Sequence, residues 1–222
     1  MSNWWRSSIG KKILMAVSGL MLAAFVIAHL MGNLLIFQGP AALNAYGRKL
    51  RDLGSLLWFA RAGLLAALVI HVWTSIELSL ENRRARPRGY RIHRMRRTTL
   101  AARFMLVSGV AVVGYVAYHL LHFTFRVIHP EWSHGLDPLG HHDIYAMVVH
   151  SFQQWPIVLI YVIGVGALCV HISHGIGSVV QTLGVNSERT IDLATRLGQW
   201  LALAIFLGYS AIPIAVLWGA VR

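Results

Sequence analysis

Long apolar stretches alternate with short charged segments along this chain. Five segments contain no Asp, Glu, Lys or Arg: 13–47, 62–76, 104–125, 144–187 and 197–221. A helix that crosses the hydrocarbon core of a bilayer needs about 20 mostly apolar residues, and four of these segments reach that length alone. The shortest, 62–76, reaches it when the apolar run before Arg61 is added. The pattern predicts five transmembrane helices, near 10–37, 55–82, 99–127, 148–183 and 192–220.

The composition agrees with this pattern. Hydrophobic residues make up 56% of the chain and charged residues only 13%, whereas an ordinary soluble domain has about 25% charged residues. The first apolar segment runs to about Phe37, which is longer than the apolar region of a signal peptide, and no small-x-small cleavage motif ends it. We therefore expect a retained first helix and an all-α, five-transmembrane-helix bundle that forms a single integral membrane domain over residues 1–222.

The positive charge is concentrated between the second and third predicted helices. Nine arginines lie there: Arg83, Arg84, Arg86, Arg88, Arg91, Arg94, Arg96, Arg97 and Arg103. If the N-terminus is inside, 14 of the 20 Lys and Arg residues lie on the inner side. Because basic loops remain in the cytoplasm, the N-terminus is predicted to be cytoplasmic. The net charge of +12 is then a topology signal, which argues against a nucleic-acid partner and indicates contact with the lipid bilayer.

The chain also repeats itself. Val-Ser-Gly at 17–19 and His-Leu at 29–30 recur 90 positions later, and the apolar run 67–72 with its histidine resembles the run 100 positions later. The first and third predicted helices are therefore similar, as are the second and fourth. The single cysteine, Cys169, excludes an intrachain disulfide and a CxxCH haem attachment.

Histidines within the apolar segments carry the candidate chemistry. Six lie well inside them: His29, His71, His119, His122, His171 and His174. Ionisable residues are costly within a bilayer and usually face a partner in the bundle interior. One alternative is that they are neutral histidines that hydrogen-bond between helices. One histidine on each of four consecutive helices favours a cofactor instead.

Depth along the helices arranges these histidines in two tiers. At 1.5 Å per residue, His29 and His119 lie about 25 Å from the inner charged edge, and His71 and His171 lie about 20 Å or less from the inner helix ends. Two histidines at one level can bind a haem iron from both sides, which leaves no open position and makes the haem an electron carrier. Zinc, the rival metal, prefers a tetrahedral cluster of ligands.

Two pairs of histidines, each three residues apart, leave a choice of ligand. The repeat and the depth favour His119 over His122. The repeat also favours His171 over His174, but the depth does not separate these two. Small residues three turns before the outer histidines would leave room for the inner haem: Ser18, Gly19, Ser108 and Gly109. Ordinary packing of small residues between helices is the alternative.

These motifs resemble the cytochrome b subunits of succinate dehydrogenase, the dihaem, five-helix type that dihaem fumarate reductases share. The resemblance rests on the segments 8–12, 18–20, 29–34, 44–46, 118–123 and 171–175. It implies a membrane anchor in the inner (cytoplasmic) membrane of a bacterium, with flavoprotein and iron–sulfur subunits as cytoplasmic partners. It implies two haem b groups, the outer held by His29 and His119 and the inner by His71 and His171. Electrons would pass to a quinone, often menaquinone, and the dicarboxylate site would lie in another subunit.

Several questions stay open at this point. Asn44, Tyr46 and Trp58 are candidates for the quinone site, and Arg61 and Arg103 for the haem propionates, by position alone. The oligomeric state of the complex is not predicted. The alternatives are the dihaem cytochrome b of a hydrogenase or formate dehydrogenase, and a haem-free anchor or transporter with a histidine relay. The identity of the copurifying subunits would distinguish the hydrogenase or formate dehydrogenase cytochrome from a succinate dehydrogenase anchor. Broken helices around a midplane site would indicate a transporter.

Overall fold

The computed structural model describes Trp5 and residues 7–85, 104–185 and 187–222. Seven α-helices occur in these ranges: α1 Ser8–Asn33, α2 Pro40–Asp52, α3 Ser55–Arg84, α4 Met105–His119, α5 Ile144–Phe152, α6 Trp155–Thr182 and α7 Glu188–Leu217. The described residues contain no β-strand, only an isolated bridge between Leu136 and His142. Five helical segments are long and apolar enough to cross a membrane. The all-α fold and the number of apolar spans are thus confirmed.

The ends of the first span follow from local chemistry. Ser7 caps α1, since its side chain accepts a hydrogen bond from the backbone N–H of Gly10. The span continues through a 3-10 turn, Leu34–Gln38, and ends at Gly39, whose φ of +92° suits glycine. Pro40 then starts α2 without losing a helical hydrogen bond. Helix α2 was not predicted, because its polar and basic residues resemble those of a loop.

The predicted fourth helix, 148–183, is wrong at its start, because the structure divides it in two. The short helix α5 begins earlier, at Ile144, where the Asp143 side chain accepts from the backbone N–H of Ala146. It ends at Phe152, and α6 starts at Trp155 with Pro156 in its first turn. A proline has no N–H to donate, so it costs little in the first turn of a helix, whereas in the interior it removes a hydrogen bond, as Pro213 does within the last helix, α7. The break lies at the end of the span that the charge pattern predicts to be outer, away from the middle of the span.

The predicted third helix, 99–127, is only partly described. Helix α4 ends at His119 and is followed by one π-helical turn, Leu120–Thr124. Residues 99–103 and most of the basic loop, 86–103, lie outside the described residues, as do Arg6 and Asn186. The last helix begins at Glu188, four residues before its predicted start at 192, because the charged connector continues the helix.

The helices pack unevenly. Helix α6 lies against α4 and α7, and α1 lies against α3. At the predicted inner ends of α1 and α3, the half-exposed carboxylates of Glu77 and Glu81 pair with the buried Lys11 ammonium. These pairs satisfy a charge that would be costly within a membrane. By contrast, α1 and α4 are not a closely packed pair, and neither are α3 and α6. The repeated histidines are thus carried by helix pairs whose backbones do not pack closely, α1 with α4 and α3 with α6.

Candidate functional site

Four histidines form two facing pairs, which keep the names inner and outer from the topology predicted from the sequence. The inner pair joins His71 of α3 and His171 of α6, with ring centres 6.0 Å apart and ring planes at 74°. The outer pair joins His29 of α1 and His119 of α4, with ring centres 5.9 Å apart and planes at 83°. The structure thus brings together the same residues that the repeat and the depth estimate paired.

The spacing of each pair matches that of two ligands on one metal. A metal–imidazole nitrogen bond is about 2 Å long and each ring centre lies about 1 Å behind its nitrogen, so two imidazoles on opposite sides of an iron have ring centres about 6 Å apart. Both pairs have this separation. Each pair also bridges two helices whose backbones do not pack closely, and imidazole nitrogen is a ligand that haem iron accepts. The residues therefore fit haem iron.

Clusters suited to other metals do not appear in the described part of the chain. There, no group of three or more His, Cys, Asp or Glu side chains could hold a metal ion. The outer histidine-rich loop is organised instead by Asp137, which accepts hydrogen bonds from the backbone N–H groups of His141 and Leu139 and from the Arg48 guanidinium. Led by the His141 N–H, these interactions lower the pKa of Asp137, so its carboxylate serves as a fixed acceptor within the loop.

Backbone carbonyls orient the inner pair. His71 Nδ1 lies 3.1 Å from the Met15 carbonyl oxygen and 3.4 Å from Ser18 Oγ. The Ser18 hydroxyl donates to the Leu14 carbonyl at 2.7 Å, so its oxygen can only accept from the imidazole. The proton must therefore be on Nδ1, and Nε2 keeps the lone pair that a metal needs.

The repeated half of the chain orients His171 in the same way. This histidine hydrogen-bonds to the backbone of Met105, which lies 90 positions after Met15. Its Nδ1 is also 3.5 Å from Ser108 Oγ. Sequence reasoning selected the two serines but missed the two methionine carbonyls, although their common offset in the repeat could have identified them.

Aromatic rings surround the outer pair. Phe25 stacks on His29 at 5.3 Å between ring centres. Tyr209 lies 6.3 Å from the same ring and donates from its hydroxyl to the Val26 carbonyl at 2.8 Å. Two further tyrosines from α4 and α6 contact His119, at 6.2 Å and 6.0 Å. His119 Nδ1 is buried and has no hydrogen-bond partner among the described residues, so packing orients this ring.

The other histidine of each closely spaced pair lies elsewhere. His122 is fully buried, and both of its ring nitrogens are hydrogen-bonded to protein groups. His174 Nε2 lies 3.3 Å from Ser178 Oγ, one turn along the same helix. Among the described residues, His119 and His171 each face a histidine of another helix, whereas the histidine beside His122 is His129 of the outer loop, at 5.9 Å between ring centres. The pairing across helices favours His119 and His171 as the ligands.

The glycines of the repeat contact the inner imidazoles. A Cβ atom at Gly19 would lie 2.9 Å from His71 Cε1, which is too close, whereas one at Gly109 would lie 3.5 Å from His171 Cε1, an ordinary contact. Both positions were predicted to leave room for the inner haem. In the structure, these glycines make room for the imidazole rings of His71 and His171. That they also make room for a haem stays a prediction.

This difference between the two glycines can be tested. We expect Gly19→Ala to displace the His71 ring and lower the amount of inner haem, because the added methyl group overlaps the imidazole. The matched substitution Gly109→Ala adds the same methyl group without overlap and should retain wild-type haem content. The haem-to-protein ratio of the purified complexes measures both effects. Equal haem content in the two variants would contradict the argument.

The candidate quinone residues are spread over several environments. The Asn44 side chain donates to Asp143 and accepts from the backbone N–H of Tyr145, both at 3.0 Å, which ties α2 to the start of α5. The Tyr46 ring packs on Gly32, since a Cβ there would lie 2.5 Å from it. Trp58 is exposed on α3 and lies under the Arg61 guanidinium at 5.0 Å. Within the described residues, no hydrogen bond or ring contact joins Trp58 to Asn44 or Tyr46.

The candidate propionate partners are not brought to the histidine pairs in the described part of the chain. Arg61 is exposed beside Trp58, and Arg103 lies outside the described residues. At the inner side, a cavity of about 370 Å³ is lined by Trp5, Lys11, Trp73 and Glu77. This cavity lies next to the segment of α3 that carries His71, and no feature of the sequence pattern indicated it.

Comparison with known proteins adds a family. The family model of the succinate dehydrogenase/fumarate reductase transmembrane subunit matches residues 79–211, which is more than half of the chain. This range contains His119 and His171, whereas His29 and His71 precede it. No curated protein and no solved structure matches the chain significantly.

Proposed function

Because the chain belongs to the succinate dehydrogenase/fumarate reductase transmembrane subunit family, we propose that it is the dihaem cytochrome b anchor of such a complex. It takes electrons from an iron–sulfur subunit, passes them through two bis-histidine haems and delivers them to a membrane quinone. The flavoprotein subunit carries the dicarboxylate chemistry. The observation that supports this proposal is the presence of two facing histidine pairs with the separation of axial ligands.

The positions of the two pairs suit a transmembrane electron path. Ser18 contacts His71 of the inner pair, and His29 of the outer pair lies 11 residues further along the same helix. At 1.5 Å per residue, the two pairs are separated by about 16 Å along α1. Haem iron with two histidine ligands has no open position, so it supplies one-electron transfer. The chain fixes the ligands at two depths and excludes water with its apolar walls.

The proposed orientation places the N-terminus of α1 and the inner pair on the cytoplasmic side of a bacterial inner membrane. The excess of Lys and Arg on that side supports this orientation. The iron–sulfur and flavoprotein subunits then dock near the inner haem, where basic residues can contact both protein and lipid headgroups. The quinone reacts at the outer haem, and menaquinone is the quinone we propose.

A spectrum of the purified complex tests the proposal. We expect a reduced-minus-oxidised difference spectrum with b-type haem bands, and pyridine haemochrome analysis should give two haems per chain. Denaturing extraction should release all of the haem from the protein, because the one cysteine cannot form a CxxCH attachment. A complex without haem would contradict the proposal. Copurification with hydrogenase or formate dehydrogenase subunits would instead identify the chain as the cytochrome b of one of those complexes.

A further inference from the structure

His122 belongs to neither ligand pair, yet it is fully buried between α4, α5 and α6. Its Nδ1 lies 3.1 Å from the Tyr161 hydroxyl, and its Nε2 lies 3.1 Å from Ser151 Oγ. Both ring nitrogens are therefore occupied by protein groups. A buried polar side chain that is fully hydrogen-bonded holds its partners in one arrangement.

The hydrogen bonds of this group run in one direction. The Ser151 hydroxyl donates its single proton to the Met147 carbonyl at 2.7 Å, so its oxygen accepts from His122 Nε2–H. A neutral imidazole then has an acceptor at Nδ1, which takes the proton of the Tyr161 hydroxyl. The chain of donors runs from Tyr161 through His122 and Ser151 to the backbone of α5, and it fixes the Tyr161 hydroxyl.

The Tyr161 ring makes an edge contact with His119, one of the two outer histidines. Its centre is 6.0 Å from that of His119, at 69°, and Phe152 packs against it at 5.0 Å. The inner histidines are oriented by backbone carbonyls, but His119 Nδ1 is buried without a partner in the described part of the chain. The plane of the His119 ring thus depends on the rings around it, and Tyr161 is the one whose position is set by hydrogen bonds.

We propose that His122 is a positioning residue for the outer haem: through Tyr161, it fixes the orientation of the His119 imidazole. This inference rests on the proposed function, since it concerns a ligand of the outer haem. The mutual angle of the two axial imidazoles determines the anisotropy of the g-values of ferric low-spin haem. A change in the His119 plane is therefore visible by electron paramagnetic resonance even when both haems remain bound.

Two substitutions release Tyr161 from opposite ends of the hydrogen-bond chain. Tyr161→Phe keeps the ring and removes the hydroxyl, and Ser151→Ala removes the acceptor for His122. Tyr118→Phe is the matched control, because its ring contacts both His122 and Tyr161 but its hydroxyl makes no hydrogen bond within the described residues. The outer haem signal is assigned as the one missing from the His29→Ala complex.

We expect the largest g-value of the outer haem to shift, or the outer signal to be lost, in Tyr161→Phe and Ser151→Ala. The inner signal should stay unchanged, and Tyr118→Phe should give the wild-type spectrum. A wild-type outer signal in Tyr161→Phe would overturn the inference even if Ser151→Ala fails to assemble, while the proposed function would stand. Absence of haem from the wild-type complex would overturn the proposed function, and this inference with it.

Discussion

Replacing His71 by alanine is expected to remove the inner haem and leave the outer one. The His71 ring is one of the two that face each other at the inner level, and its Nδ1 is held by the Met15 carbonyl with Nε2 left for the metal. Alanine provides no ligand for the iron. The haem content should fall from two to one per chain, as measured by pyridine haemochrome analysis.

The matched control is His174→Ala on α6. This histidine lies three residues after His171 and contacts Ser178 on its own helix instead of His71. We expect its replacement to retain two haems, whereas His171→Ala should lose the same inner haem as His71→Ala. Loss of haem from His174→Ala together with retention in His171→Ala would show that the ligand on α6 is misassigned. Retention of both haems in His71→Ala would contradict the inner site.

The membrane-spanning architecture could be predicted because its cause lies in the sequence alone. A span of about 20 residues without charge is required by the thickness of the bilayer, whatever the helices contact. The facing of the histidines could also be predicted, because a repeated helix pair places equivalent residues at equivalent depths. His29 and His119 are related by the same offset as Ser18 and Ser108, and the structure places both serines beside the inner imidazoles.

Features that depend on long-range contacts could not be predicted in this way. The break between α5 and α6 is signalled by Pro156, but the segment without charged residues continues across it. Helix α2 forms on a polar segment because Leu43 and Asn44 are buried against other elements, and Asn44 holds the start of α5. A hydrogen bond between residues 99 positions apart leaves no periodic trace in the chain.

The role of His122 also depends on long-range contacts, so it could not be predicted from the repeat. His122 has Gly32 as its counterpart 90 positions earlier, so the sequence could say only that it is not part of the repeated pattern. Its role depends on Tyr161 and Ser151, which lie 39 and 29 positions away. The π-helical turn that follows His119 contains His122, and such turns occur often at functional sites.

Replacing His119 by alanine is expected to remove the outer haem and abolish quinone reduction. Electrons from succinate would still reach the inner pair, about 16 Å away along the helices, but the last carrier before the proposed quinone site would be missing. Succinate-dependent reduction of a soluble dye should continue, because the dye takes its electrons from the proposed flavoprotein and iron–sulfur subunits and not from the haems. The ratio of quinone to dye reduction in the purified complex measures this separation.

The control for this variant is His150→Ala. His150 is an exposed histidine on α5 and is not one of the facing histidines. It should keep two haems and the wild-type ratio of quinone to dye reduction. If His119→Ala retained quinone reduction after losing the outer haem, the quinone would have to react near the inner pair, and the proposed outer site would be wrong.

Double variants provide a stricter test of which histidines bind the same haem. Residues that act as one unit are not additive, so His29→Ala combined with His119→Ala should lose one haem, as each single variant does. His119→Ala combined with His71→Ala removes one ligand from each pair and should lose both haems. The opposite pattern would mean that haems join helices other than the facing pairs α1 with α4 and α3 with α6. Haem counts from the two double variants and their three single variants therefore test the pairing independently of any measurement of electron transfer.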